Sequence, residues 1–112
     1  MIAWADIVAF CNELPETEES THYGRPALKV RGKAFVSLRE KPDALVVRCD
    51  GEEKPLLLEA RPDVVFTTPH YDGWPYILVR LDAPLEDARE LVMDSWLANA
   101  PKKLAAAFAP DD

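Results

Sequence analysis

The stretch RPALKVRGKAFVSLR, residues 25–39, alternates apolar and polar side chains in the way that two adjacent β-strands do. Gly32 lies near its middle, and glycine is the residue that most readily adopts the left-handed backbone of a tight hairpin loop. A three-residue loop over residues 30–32 would pair Lys29 with Lys33. The stretch therefore predicts a β-hairpin, and with it a sheet, at the centre of the fold.

This register sorts the hairpin side chains into two faces. The face that we expect to be buried is apolar and consists of Pro26, Leu28, Ala34, Val36 and Leu38. The opposite face is mainly basic and consists of Arg25, Lys29, Lys33, Ser37 and Arg39, with Ala27 and Phe35 among them. Because side chains alternate along a strand, a shift of the register by one residue would mix the two sets.

The segments on either side of the hairpin predict further helices and strands. Helices are predicted for residues 3–14, for the segment between Asp50 and Pro62, after Pro84 and from Pro101. Strands are predicted for residues 44–49, 64–68 and 76–81. The acidic segment ETEES, residues 16–20, is expected to connect the first helix to the hairpin region.

This order of elements predicts the α+β class. We expect a two-layer sandwich of α-β(3)-α-β(2)-α order, closed by a short last helix, with a mostly antiparallel five-stranded sheet and the helices on one face. The other face of the sheet would meet solvent. The length of 112 residues and the hydrophobic content of 48% indicate one globular domain over residues 1–112.

The charge is distributed unevenly along the chain. The net charge of −7 disfavours indiscriminate attraction to nucleic acid or to an anionic membrane, since the protein as a whole repels phosphate. The segment from Arg25 to Lys41 contains six basic residues and one acidic residue, which is a local charge of +5. The hairpin is thus a basic segment in an acidic protein.

Other sequence features argue against several classes of protein. Cys11 and Cys49 lie in apolar patterns, as reduced thiols of a cytoplasmic protein do, and no apolar run is long enough to cross a bilayer. The sequence contains no Gly-rich phosphate loop, no nucleophile elbow and no paired metal-ligand motif. We therefore expect a cytoplasmic protein that is not an enzyme, with no cofactor, no metal site and no membrane partner.

The sequence uses a His-Tyr pair twice, in THYGRP at residues 21–26 and in PHYDGWP at residues 69–75. The aromatic residues in and beside these phrases could stack on single-stranded bases or line a small pocket with a titratable imidazole; they are His22, Tyr23, His70, Tyr71, Trp74 and Tyr76. If the phrases meet, Asp72 could orient an imidazole for acid-base chemistry. The alternative is structural: each phrase joins a turn glycine to a strand-entry proline, and Tyr71 and Trp74 pack over the sheet edge.

Three separated motifs resemble the MmcQ/YjbR family of small bacterial proteins. They are ESTHYGRPALKVRGKAF at residues 19–35, TTPHYDGWPYILVRL at residues 67–81 and WLANAPKKL at residues 96–104. The resemblance implies the same α-β(3)-α-β(2)-α fold. It also implies DNA binding, because the sheet with its projecting hairpins resembles a double-wing motif, or a role in protein interaction, because the fold is similar to that of type III secretion chaperones.

These observations predict a binding module with three candidate partners. The first is DNA, bound weakly and in a salt-dependent way through phosphate contacts of the basic hairpin residues Arg25, Lys29, Arg31, Lys33 and Arg39. The alternatives are another protein at the open sheet face or a sheet edge, and a small ligand beneath the second His-Tyr phrase. Lys102 and Lys103 are candidate anion contacts at a helix N-terminus, unless they simply pack over Trp96.

Overall fold

In the computed structural model, residues 1–108 are described, and they form four α-helices, six β-strands and one 3₁₀ turn. The helices are α1 (Trp4–Cys11), α2 (Glu53–Ala60), α3 (Leu85–Asn99) and α4 (Lys102–Phe108). The strands are β1 (Thr17–His22), β2 (Arg25–Val30), β3 (Lys33–Arg39), β4 (Ala44–Arg48), β5 (Val65–Phe66) and β6 (Tyr76–Arg80). The 3₁₀ turn spans Pro69–Tyr71.

The six strands form one sheet in the order β1-β2-β3-β4-β6-β5, and every neighbouring pair is antiparallel. The predicted α+β class with an antiparallel sheet is confirmed, although the sheet has six strands where five were predicted. The additional strand is β1, which was predicted to be a connection. It pairs with β2 from Thr17 opposite Val30 to His22 opposite Arg25. Its acidic side chains suit a strand at the sheet edge, where charge discourages pairing with another chain.

The central hairpin has a tighter turn than the sequence predicted. Its loop is two residues long: Arg31 and Gly32 have φ values of +47° and +83°, and Val30 pairs with Lys33. Two-residue hairpin loops require positive φ at both positions, and this geometry matches the twist of the flanking strands. The predicted pairing of Lys29 with Lys33 was therefore wrong, and Lys29 pairs with Ala34.

A β-bulge at Phe35 then restores the predicted faces farther along the hairpin. The register shifts between Leu28 and Lys29, so that Leu28 pairs with Val36 and Phe35 is the additional residue. Phe35 is only 1% exposed and lies in the main core, so its predicted position on the basic face was wrong. Ala34 is likewise on the opposite face from the one predicted, as the partner of Lys29.

The main core lies between the sheet and the helices. Apolar side chains of α1 and α3 bury against alternate residues of β2, β3, β4 and β6, and side chains of α2 and α4 pack against this cluster. Trp96 is fully buried, and its indole nitrogen donates a hydrogen bond to Thr17 Oγ1 at 3.1 Å. Ser95 donates to the carbonyl of Phe35 at 2.8 Å, which fastens α3 to the bulge. No helix within residues 1–108 is long and apolar enough to cross a membrane.

The face of the sheet opposite the helices is only partly open to solvent. Ala44, Val46 and Leu78 form a second, smaller core on this face, and Tyr71 covers it. Tyr71 comes from the segment between β5 and β6, which crosses over the sheet. The same segment carries the second His-Tyr phrase, so the fold brings this phrase onto the face that the sequence predicted to be free.

Candidate binding cavity on the open sheet face

The two His-Tyr phrases converge on one cavity of about 480 Å³. One wall comes from the turn between β1 and β2, and the other comes from the 3₁₀ turn, the residues after it and the start of β6. The floor is formed by central strands. The residues that line the cavity are His22, Tyr23, Arg25, Ser37, Val46, His70, Tyr71, Trp74 and Tyr76. All six aromatic residues that the sequence singled out are among them.

The first wall is a two-residue hairpin turn. Tyr23 and Gly24 have φ values of +51° and +76°, and His22 pairs with Arg25 across the turn. The rings of His22 and Tyr23 meet edge to face, with centroids 4.5 Å apart. Tyr23 remains 87% exposed at the mouth of the cavity.

The second wall begins with the 3₁₀ turn. The amide of Tyr71 donates to the carbonyl of Thr68 at 2.9 Å, and the turn directs the Tyr71 ring onto the sheet. That ring contacts His70 and Tyr76 in edge-to-face geometry, with centroid distances of 4.8 and 6.2 Å. The prediction that Trp74 packs over the sheet together with Tyr71 was wrong. Trp74 stays 62% exposed at the cavity mouth.

A buried lysine, Lys54, holds the second wall in place. Its ammonium group donates to the carbonyls of Tyr71 at 2.6 Å and Trp74 at 3.0 Å, which ties the wall to α2. Both carbonyls also accept backbone amide hydrogen bonds, from Trp74 and Tyr76 respectively. Sequence reasoning missed Lys54, because a lysine next to a proline in a polar first helical turn gives no sign of burial.

The floor and Arg25 connect the two walls. Ser37 and Val46 pair across β3 and β4 and face the cavity, and Ser37 is only 3% exposed. Arg25 Nη1 donates to Tyr71 Oη over a long 3.5 Å, so this one contact joins the first phrase to the second. A hydrogen bond of this length is weak and leaves most of the guanidinium available for another partner.

The cavity is locally positive in an acidic protein. Among the described residues that line it, Arg25 is the charged one, and none is a carboxylate. The pKa of His22 is lowered from 6.5, first by burial and then by the positive charges of Lys29 and Arg25. A neutral imidazole can both donate and accept a hydrogen bond. The cavity therefore combines a cation, imidazole nitrogens, a hydroxyl and aromatic rings.

The predicted basic residues of the hairpin do not form one surface. Arg31 makes a two-pronged ion pair with Glu16, at 2.6 and 3.1 Å, which raises the pKa of Arg31 and lowers that of Glu16. Lys33 is the partner of buried Val30 and so projects toward the helix side. Arg25, Lys29 and Arg39 share the open face.

Arg39 lies behind the second wall. Its guanidinium carbon is 5.3 Å from the centroid of the Tyr71 ring, and Nη2 donates to the carbonyl of Lys41 at 3.2 Å. Its Nε and Nη1 atoms are buried, and residues 1–108 offer them no hydrogen-bond partner. Arg39 thus supports Tyr71 from outside the cavity.

The two lysines at the start of α4 do not join the cavity. Lys102 and Lys103 are exposed, and α4 packs on the helix side of the sheet. Trp96 is covered by Phe108, whose ring centroid is 5.1 Å away. The described part of the chain also contains no group of three His, Cys, Asp or Glu residues that could hold a metal ion.

Comparison with known proteins identifies the family. The YjbR family model matches residues 12–98. The chain belongs to the YjbR family. The resemblance seen in the three sequence motifs is thereby confirmed, and every residue that lines the cavity falls within the matched range of the YjbR model.

Relatives of this YjbR-family chain include uncharacterized proteins of Mycobacterium bovis and Mycobacterium tuberculosis. Each is 36% identical over 124 aligned residues, which cover 96% of this chain and 96% of the relative. Among solved structures, Deinococcus radiodurans protein DR2400, a DUF419 domain, superposes with a TM-score of 0.71. That match is 24% identical and covers 88% of this chain and 78% of the other, so it shows a shared fold.

Proposed function

We propose that this YjbR-family protein is a binding module that takes a small organic ligand into the open-face cavity and acts by binding alone. The observation that carries the proposal is the convergence of the two His-Tyr phrases, distant in sequence, on one cavity. Its volume of about 480 Å³ is of the size that small-molecule sites usually have, about 300–1,000 Å³. Small-molecule sites also combine mostly apolar and aromatic walls with a few polar groups, as this cavity does.

Two exposed aromatic residues support the proposal. A tyrosine and a tryptophan that remain largely in water forgo the free energy of burial that their large rings would otherwise gain. Tyr23 and Trp74 both do so, on opposite walls of one cavity. A ligand seated between the walls would cover both rings.

The test is a screen of small organic fragments against the ¹⁵N-labelled protein by two-dimensional NMR. Fragments that bind are expected to shift the amides of Ser37, Val46 and Tyr76. Trp74→Ala should weaken these fragments, whereas Leu56→Ala should not, because Leu56 is a similarly exposed apolar residue on α2 that does not line the cavity. A chemically diverse screen in which no fragment shifts the cavity amides would refute the proposal.

A second candidate function is DNA binding at the same face. The observation in its favour is that Arg25 and Lys29 project from this face and that Arg25 follows the turn that carries the exposed ring of Tyr23, which combines phosphate contacts with a stacking platform. The ion pair of Arg31 with Glu16 and the position of Lys33 leave fewer free hairpin cations than the sequence predicted.

Fluorescence anisotropy with duplex and single-stranded DNA at several salt concentrations tests this candidate. Binding should weaken as salt rises and disappear in a Lys29→Glu/Lys33→Glu variant, and Lys33→Glu alone should change little. Absence of binding at micromolar protein in low salt would exclude DNA. The third candidate from the sequence is a protein partner, bound for example at the edge of β1. Unlike DNA binding, such an interaction should weaken little as salt rises.

A further inference from the structure

We propose, on the basis of the ligand-binding function above, that the ligand of the open-face cavity is a planar aromatic ring that carries one anionic group, a carboxylate or a phosphate. The inference uses three features of the cavity: its charge, its rings and the position of its hydroxyl. Each restricts the ligand in a different way.

The charge of the cavity selects an anion. The chain has 20 acidic and 13 basic residues, yet among residues 1–108 no carboxylate lines this cavity and one guanidinium does. Arg25 forms no salt bridge within residues 1–108, and its contact with Tyr71 Oη is long at 3.5 Å. A half-buried guanidinium with free donors fits the two oxygens of a carboxylate or phosphate.

The rings of the cavity select a planar aromatic body. Six of the nine lining residues carry an aromatic or imidazole ring. The pairs His22–Tyr23 and His70–Tyr71 pack edge to face, so ring faces remain available for a ligand. Aromatic rings prefer offset stacked or edge-to-face contacts with other rings, and an aliphatic body would gain only its area burial.

The floor supplies a polar anchor between the walls. Ser37 is only 3% exposed and is one of the residues that line the cavity. A serine hydroxyl can both donate and accept a hydrogen bond, so it offers a contact to a ligand oxygen that reaches the floor. Ser37 and Arg25 together would hold the anionic group inside while the ring lies between Tyr23 and Trp74.

Four matched probes test the inference on the full chain by NMR titration. They are 2-naphthoate, 2-naphthalenemethanol, cyclohexanecarboxylate and 2-naphthylmethylammonium, which separate the ring from the charge and the sign of the charge. We expect 2-naphthoate to shift the amides of Ser37 and Tyr76 and to bind at least about tenfold more tightly than each of the others. Equal or tighter binding of the alcohol, the ammonium or the aliphatic acid would overturn the inference.

Variants locate the anion contact. Arg25→Gln should weaken 2-naphthoate by about tenfold or more and leave 2-naphthalenemethanol unchanged, since the lost interaction is with the charge. Lys33→Gln removes the same charge from an exposed position outside the cavity and should change neither probe. Arg25→Lys keeps the charge and should recover part of the affinity. An Arg25→Gln variant that keeps the native spectrum and binds 2-naphthoate normally would refute the role of Arg25.

The outcomes also separate this inference from the broader proposal. If other fragments shift the cavity amides while 2-naphthoate does not, the cavity binds ligands and the inferred ligand class is wrong. If neither these probes nor the fragment screen shift those amides, the binding function itself is wrong. Replacing 2-naphthoate by 2-naphthyl phosphate shows which of the two anionic groups the cavity prefers.

Discussion

Replacing Lys54 by methionine tests whether one buried ammonium group sets the position of the second cavity wall. Methionine keeps most of the side-chain volume and removes both hydrogen bonds, to the carbonyls of Tyr71 and Trp74 at 2.6 and 3.0 Å. Hydrogen bonds to a charged group contribute about 1.5–3 kcal/mol each. The gross loss is thus about 3–6 kcal/mol for two such bonds.

Two effects reduce this loss. Methionine has no charge to desolvate, which recovers part of the cost of burying the ammonium group. The two carbonyls also keep their hydrogen bonds from the amides of Trp74 and Tyr76, so neither is left unsatisfied. We therefore expect a net destabilisation of about 1–2 kcal/mol, confined mainly to residues 69–75.

Amide hydrogen exchange under native conditions measures this effect residue by residue. In Lys54→Met the amides of Trp74 and Tyr76 should exchange about fivefold to thirtyfold faster, and amides in the middle of β4 should change much less. Lys33→Met, at an exposed position, should leave all of these rates unchanged. Unchanged exchange at Trp74 and Tyr76 in a folded Lys54→Met variant would show that Lys54 does not hold the wall.

Three further predictions concern the core and the titrating groups. In urea denaturation, Phe35→Ala should lower the free energy of unfolding by about 3–5 kcal/mol and the control Leu56→Ala by less than about 0.5 kcal/mol. A small loss for Phe35→Ala would contradict the burial of Phe35 by the bulge. Burial raises the pKa of the Cys11 thiol to about 12, so a thiol reagent at about pH 8 should modify Cys11 only in denaturant. The native state should also lose stability as the pH rises above 9.0, because the Cys11 thiol ionises in the unfolded chain before it ionises in the folded one. The pKa of His22 is lowered from 6.5, so acidification toward about pH 5 should destabilise the wild type more than His22→Gln, and equal losses would contradict this.

Much of the fold could be predicted from local patterns. The central hairpin, the helices and the three later strands all have the periodicity or the terminal prolines of their element type, and the structure contains each of them. The edge strand β1 could not be found in this way. An edge strand with acidic residues buries little, so it lacks the apolar alternation by which strands are recognised.

The register of the hairpin depends on contacts distant in sequence. A glycine in the loop indicated a tight turn, but Arg31 also adopts a positive φ, which non-glycine residues rarely do. The bulge that buries Phe35 then depends on space beneath α3, where the Ser95 hydroxyl donates a hydrogen bond to the Phe35 carbonyl. Neither feature is visible within the fifteen residues of the hairpin.

The aromatic residues of the candidate site were singled out in the sequence, but their assembly into one cavity was not predicted. The repeated His-Tyr phrase pointed to all six aromatic residues, yet their convergence follows from the strand order and from the path of the segment between β5 and β6. Lys54 gave no signal, because its partners are backbone carbonyls. Backbone acceptors are the same at every residue and leave no trace in a sequence.

The main core and the cavity lie on opposite faces of the sheet, and this separation affects how the cavity can change in evolution. The helix side holds the main core, whereas Tyr23 and Trp74 at the cavity mouth contribute little buried area. Substitutions at the mouth can therefore reshape the opening without weakening the packing that keeps the chain folded. Under the proposed binding function, proteins with this architecture can change the ligand that they bind while their scaffold stays the same, as antibody loops do on a common framework.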